Sequence, residues 1–580
     1  MSTYNKTPFF PIAGNAYRGW ELIIEELRLK IKNSDSNRYV LVVECYQGVN
    51  HEELISGFGG LNPELFINSE EAFFTNEKIQ EITYPDVTDD PIFGYITRLD
   101  YVDLLEKVKV KKLRDAIKNA TGLVVVYGHA AAVICKEYNC LVYADMARWE
   151  IQLRQREHEV TNIGLQNSEE EPGIQYKRGF FVDWRICDRL KQKLFEKADY
   201  WLDTNKTNDP KMIHTQTLLD GLTKISKNPF RVVPYFDPGP WGGQWMKEVI
   251  GLDKSKSNYA WSFDGVPEEN SLLFEVGGEI FEIPSINLVF YKSTELLGEP
   301  VESRFGKEFP IRFDFLDTMD GGNLSLQVHP TTQFIREKFG MNYTQDESYY
   351  MMDAKPDATV LLGVKTGCDS EEMIAELKKS QKEGTVFNAE KYVNVFPAKK
   401  HDHFLIPNGT IHCSGINSMV LEISATPYIF TFKLYDWGRM GLNGKPRAIN
   451  IDRGEQVMNW SRDTAYCLEN LVDQVQEVAQ GDGWKEERTG LHKTQFIETR
   501  RHWFTKSVLH QSGDSVNVLN LVEGAEAIIE SPTNSFEPFI VHYAETFIVP
   551  AAVGEYTIRP YGASEGKQCA TLKAYVRHKS

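Results

Sequence analysis

The chain has no C-x-x-C pair among its eight cysteines, no G-x-x-x-x-G-K-[ST] phosphate loop, and no apolar run near the roughly 18 residues that cross a bilayer. Each absence removes a class of protein. Cys45, Cys135, Cys140, Cys187, Cys368, Cys413, Cys467 and Cys569 are scattered, which argues against a zinc knuckle or a disulfide framework, and they are read as reduced and mostly buried. The opening Met1-Ser2-Thr3-Tyr4-Asn5-Lys6 lacks the basic-then-apolar pattern of a secretory signal, so a soluble, cytoplasmic protein with no membrane partner is expected. Positive charge is scarce too. Against 82 acidic residues stand 64 Lys and Arg, a net charge of -18, which argues against nucleic acid or an anionic lipid surface as the main ligand. A small molecule is the default partner, and assembly into a homo-oligomer stays open.

What is present suffices for several cores. At 580 residues, 42% hydrophobic and 12% aromatic, the chain fits about three to four domains. Up to about residue 225, short apolar strands (Tyr39 to Val43, Leu123 to Tyr127, Leu141 to Ala144) alternate with helix-like segments (Trp20 to Lys32, Val102 to Asn119, Met146 to Arg156), which predicts a parallel α/β sheet. Beyond about Pro229 short strands separated by Gly, Pro, Asn and Asp turns predict all-β domains, interrupted by a helix over Asp369 to Glu383. The expected boundaries are 1–225, 226–490 and 491–580.

The richest chemistry lies in Leu324-Ser325-Leu326-Gln327-Val328-His329-Pro330. Residues i and i+2 share one face of a strand, so Gln327 and His329 can point at one atom. Glu347 opens a second strand-like run, and Pro407-Asn408-Gly409-Thr410-Ile411-His412 supplies a turn followed by another histidine. Two imidazoles, a carboxylate and an amide oxygen form a donor set for a divalent metal with room for substrate. His401 and His403 are read as structural.

Phe309-Pro310-Ile311-Arg312-Phe313-Asp314-Phe315-Leu316-Asp317, leading into that motif, resembles type I mannose-6-phosphate isomerase. So do Pro234-Tyr235, Trp241-Gly242-Gly243, Glu347-Ser348-Tyr349-Tyr350, Tyr435-Asp436-Trp437-Gly438-Arg439 and Gly444-Lys445-Pro446-Arg447. The resemblance covers roughly residues 229 to 580 and implies cupin-like β domains with a helical insertion. It places the family's four zinc ligands on Gln327, His329, Glu347 and His412; another divalent ion is also compatible with these donors. The implied reaction interconverts an aldose and its ketose through an enediol, with Lys433, Asp436 and Arg439 as candidate catalytic residues and Ser325, Asp314, Gln345 and Arg312 as candidate contacts to a sugar or sugar phosphate.

Three basic positions of the family pattern are altered. Its lysines fall on Asp314 and Gln345, and an arginine falls on Lys433. Aspartate in place of lysine turns attraction for a phosphate into repulsion. Either Arg312, Lys433, Arg439, Lys445 and Arg447 compensate, or the substrate carries no phosphate, or the chain is a weakened member that binds a sugar as a sensor.

In the amino-terminal part, the strand Tyr39 to Val43 runs into Glu44 to Leu54, where a P-loop kinase places its glycines; the expected Lys-Ser/Thr is Asn50-His51. Tyr143 to Arg156 and Lys177 to Phe180 are similar to later regions of uridine-kinase-like proteins. An inactive kinase-like domain is expected, and its cluster of Arg148, Arg154, Arg156, Lys177 and Arg178 could hold an anion, although a solvated helix face is the commoner meaning of such a run.

Overall fold

The computed structural model describes residues 3–34, 37–425, 428–441, 444, 447–490 and 492–577. Lys445 lies outside these described residues. The chain divides into two units, one of Phe9–Lys224 with Glu268–Tyr291, the other of Met1–Pro8, Ile225–Pro267 and Lys292–Ser580.

In the first unit, apolar runs such as Val40 to Val43 and Val124 to Val126 are buried, as strands covered on both faces must be. Five strands run parallel, in the spatial order Leu65–Asn68, Gly122–Gly128, Arg38–Cys45, Cys140–Asp145, Tyr200–Asp203. Lys211–His214 and Ala16–Arg18 extend this sheet antiparallel, a departure from the all-parallel expectation. The hairpin of Ser271–Val276 and Glu279–Pro284 pairs with Phe9–Ile12 and belongs to this unit, although local sequence texture assigned it to the next. Pairing across more than 250 residues leaves no local signal.

The loop after Arg38–Cys45 is closed by its own side chains. Gln47 donates to the Thr161 carbonyl and accepts from the Trp184 indole. Asn50 caps the helix His51–Gly59 by accepting from the amides of Glu52 and Glu53, the donors a phosphate would need.

Of the basic cluster only Arg156 is solvated. Arg148, Arg154, Lys177 and Arg178 are buried. Arg148 pairs with Asp188 at 2.6 Å, and Arg154 donates to Glu150 and to the carbonyls of Gly48, Thr204 and Asn205. Lys177 donates to the Val87 carbonyl and Arg178 to Thr83. Composition alone suggests solvation because the acceptors are mostly backbone carbonyls brought in from elsewhere.

Among the described residues the second unit holds four sheets. One, in the order His403–Ile406, Asp346–Ala354, Ser418–Ala425, Arg312–Asp317, Trp261–Gly265, Tyr235–Asp237, accompanies another ordered Val393–Pro397, Thr359–Val364, His412–Ser414, Leu326–Val328, Phe432–Tyr435. The remaining two contain six and four strands and share a core that includes Leu519, Leu521, Ile529, Phe547 and Ile558. The boundary expected at 490/491 falls inside one of these sheets, because Trp484–Gly490 pairs with Ile497–Phe504. The inserted helix is Ser370–Glu383, with Asp369 accepting from two backbone amides as its cap. No described helix is long and apolar enough to cross a membrane.

Since Asn50 occupies the amides of that helix start, titration calorimetry with ATP and magnesium should show no saturable heat. Binding at micromolar concentrations would contradict the assignment of these donors.

Candidate metal centre

Each of the four candidate ligands is delivered by a separate local device. Leu326–Val328 is a short strand, and His329 lies one residue beyond its end rather than within it as the i, i+2 argument had it. The His329 carbonyl accepts from the Gly409 amide at 2.9 Å, which ties this strand end to the turn that leads to His412. Gly409 has φ +80°, and a Cβ there would stand 2.8 Å from the Val457 carbonyl oxygen, so the turn needs glycine. Arg462 donates to the Pro407 carbonyl, and Asp346 accepts from the Asn408 backbone and side chain, securing the same turn to the strand that carries Glu347. Gln327 is paired with His412 in one sheet, whereas Glu347 belongs to the other.

Glu347 faces both imidazoles. Its Oε2 is 3.1 Å from His329 Nε2 and its Oε1 is 2.8 Å from His412 Nε2, all three side chains being fully buried. His329 Nδ1 meets the Phe430 carbonyl and His412 Nδ1 the Thr410 carbonyl, each at 2.9 Å. A carbonyl only accepts, so Nδ1 carries the proton in both rings and Nε2 is left as a lone-pair donor facing Glu347. His329 Nε2 and Glu347 Oε1 have no hydrogen-bond partner among the described residues. Ligands about 2.0 Å from a tetrahedral ion stand roughly 3.3 Å from one another, so these spacings suit a small divalent cation. Burial favours the neutral acid of Glu347, and positive charge on the facing imidazoles is what holds it well below the usual carboxylate range, a role a cation takes over when both Nε2 atoms are lone-pair donors.

Gln327 Nε2 is 3.3 Å from His412 Nε2, and its Oε1 accepts from Ser325 at 3.1 Å. A half-turn of the amide would direct the oxygen inward and keep Ser325 bonded, because a hydroxyl both donates and accepts. Gln345 donates to Glu347 Oε2 at 3.0 Å. His401 and His403 stand outside this group: His401 bonds the Tyr350 hydroxyl, and burial lowers the His403 imidazole to about 3.

Strand register adds residues that the sequence alone did not single out. Glu347 and Tyr349 share a face, Tyr349 lies opposite Glu422, and Glu422 lies opposite Asp314, with Arg312 two residues before it. Arg312 also stacks over Phe263, its guanidinium carbon 5.7 Å from the ring centre. Burial, then the neighbouring Asp314 and Glu347, raise Glu422 well above its ordinary range. Tyr349 was findable as i+2 from Glu347; Glu422 needed the cross-strand pairing. In the facing sheet Lys433 lies opposite Gln327, and burial, then Arg447, lower its ammonium to about 8. Asp436 is different: one oxygen pairs with Arg439 at 2.6 Å and the other with Arg447 at 2.8 Å.

Comparison with known proteins agrees with this division. Residues 19–227 match a family described only as a domain of unknown function, DUF8485. Part of the chain is similar to mannose-6-phosphate isomerases. A probable mannose-6-phosphate isomerase, GmuF of Bacillus subtilis, is 25% identical over 234 residues, covering 40% of this chain and 68% of that protein. A putative one, YvyI of the same organism, is 21% identical over 339 residues, covering 58% and 97%. The mannose-6-phosphate isomerase of Streptococcus mutans is 26% identical over 222 residues, covering 38% and 64%. Among solved structures, the Bacillus subtilis mannose 6-phosphate isomerase aligns over 60% of this chain and 99% of its own, at 17% identity and a TM-score of 0.48.

Bound zinc should stabilise the fold by about 2.7 kcal/mol at a hundredfold excess over its dissociation constant, a rise of a few degrees in melting temperature. Scanning calorimetry of the chelator-stripped protein with and without zinc should show this rise, and His412→Ala should abolish the part of it contributed by this centre.

Proposed function

We propose that the second unit is a metal-dependent aldose-ketose isomerase of the mannose 6-phosphate to fructose 6-phosphate type. The observation that carries this reading is the buried Glu347 carboxylate facing two Nε2 atoms whose rings are oriented by backbone carbonyls. The names of the relatives point the same way.

In this reading Gln327, His329, Glu347 and His412 hold the ion, and zinc suits the nitrogen-rich set best. When bound, a divalent ion supplies Lewis-acid stabilisation of the negative charge that develops on the sugar oxygens as C2 loses its proton. Lys433 moves that proton from C2 to C1, since an amine lowered to about 8 exchanges protons readily near neutrality. Glu422, kept protonated by burial and its acidic neighbours, donates a hydrogen bond to a sugar hydroxyl. Asp436 serves as a positioning residue through its ion pairs with Arg439 and Arg447. Ser325, Gln345 and Arg312 complete the contacts.

The Asp314 and Glu422 pair favours a second reading, an isomerase of an unphosphorylated sugar, because two facing acids disfavour a dianion. A coupled assay of the zinc-loaded protein with mannose 6-phosphate beside free mannose separates the two, and turnover of neither would sink the isomerase itself. If the phosphate lies near Asp314, Asp314→Lys should lower KM for mannose 6-phosphate about ten- to a hundredfold, the worth of one charge-assisted contact of about 1.5 to 3 kcal/mol, and leave free mannose unchanged.

A further inference from the structure

We propose a second metal site, in the amino-terminal unit, in which His51, Glu70 and His129 bind a first-row divalent transition ion such as zinc. The three ligands follow three neighbouring parallel strands. His51 starts the helix after Arg38–Cys45, Glu70 lies in the short helix Ser69–Ala72 after Leu65–Asn68, and His129 directly follows Gly122–Gly128. They gather at the carboxyl ends of the strands. Arg38–Cys45 lies where the strand order reverses, with Gly122–Gly128 on one side and Cys140–Asp145 on the other, the place where open α/β sheets bind ligands.

The donor atoms all lie within 4.8 Å of one another. Glu70 Oε1 touches His129 Nδ1 and stands 3.7 Å from His51 Nε2, near the roughly 3.3 Å separation of ligands around a tetrahedral ion. An ion pair between His129 and Glu70 would account for those two groups and leave His51 unexplained. His51 Nε2 is buried, aimed at a carboxylate oxygen, and without a hydrogen-bond partner among the described residues. A cation between His51 Nε2 and Glu70 Oε1 would bond both atoms.

The site is braced from behind. Glu44 accepts from the amides of Ala130 and Ala132, fixing the turn after His129, and the Ser69 hydroxyl lies 2.7 Å from the His129 carbonyl. The side chains of His51 and Glu70 remain 21% and 27% exposed, so an ion can enter from solvent. Three protein ligands leave a fourth position for water or for an oxygen of a ligand. Two imidazoles select zinc and its neighbours over magnesium or calcium.

The test is Zn2+ alone, added to the full chain. Titration calorimetry should find two equivalents in the wild type. His412→Gln should remove one and His51→Gln the other, and zinc-edge anomalous scattering from soaked crystals should place a peak between His51, Glu70 and His129. No peak there at saturating zinc overturns the proposal whether or not the variants fold. So does a second equivalent that His51→Gln leaves unchanged.

Discussion

Glu347 is the group on which the second unit depends. An ionised carboxylate removed from water without compensation costs several kcal/mol, so its surroundings must answer the charge. The amide of Gln345 donates to it, and the Nε2 lone pairs of His329 and His412 that face it call for a cation between them and the carboxylate. A shift of one residue in the register of Asp346–Ala354 would turn Glu347 to the opposite face and leave two imidazoles facing nothing. The turn held by Gly409, Asp346 and Arg462 therefore serves the charge as much as the chain path.

Buried charge organises the first unit by the same rule, with a different outcome. Lys191 is completely buried, with Asp145 at 2.7 Å and the Asn287 amide oxygen at 3.2 Å, while Asp188 receives both Arg148 and the Tyr46 hydroxyl. These groups satisfy one another. His51 and His129 stand apart from them because two imidazoles converge on one carboxylate, which leaves donor atoms to spare.

The acidic substitutions around the metal centre also form one system. Asp314, Glu422 and Glu347 lie on a single sheet face, and three carboxylates so close cannot all ionise without a cation among them. Positive charge comes from Arg312 on the same strand as Asp314 and, in the other sheet, from Lys433 opposite Gln327, while Arg439 and Arg447 are engaged by Asp436.

Local patterns determined much. Apolar runs specified three of the five parallel strands described in the first unit, the texture after Asp369 specified the inserted helix, and ordered motifs singled out Gln327, His329, Glu347 and His412. These signals are legible because hydrophobic period and turn chemistry act over a few residues. The sequence also read Arg148, Arg154, Lys177 and Arg178 as solvated, when backbone carbonyls take Arg154 and Lys177 inside and the side chains of Asp188 and Thr83 take Arg148 and Arg178. Tertiary structure alone decided that Glu422 faces Asp314, that residues 268–291 return to the first unit, and that His51, Glu70 and His129 meet. Each depends on strand order and register, which are set by the free energy of burying whole faces and not by any residue's neighbours in sequence.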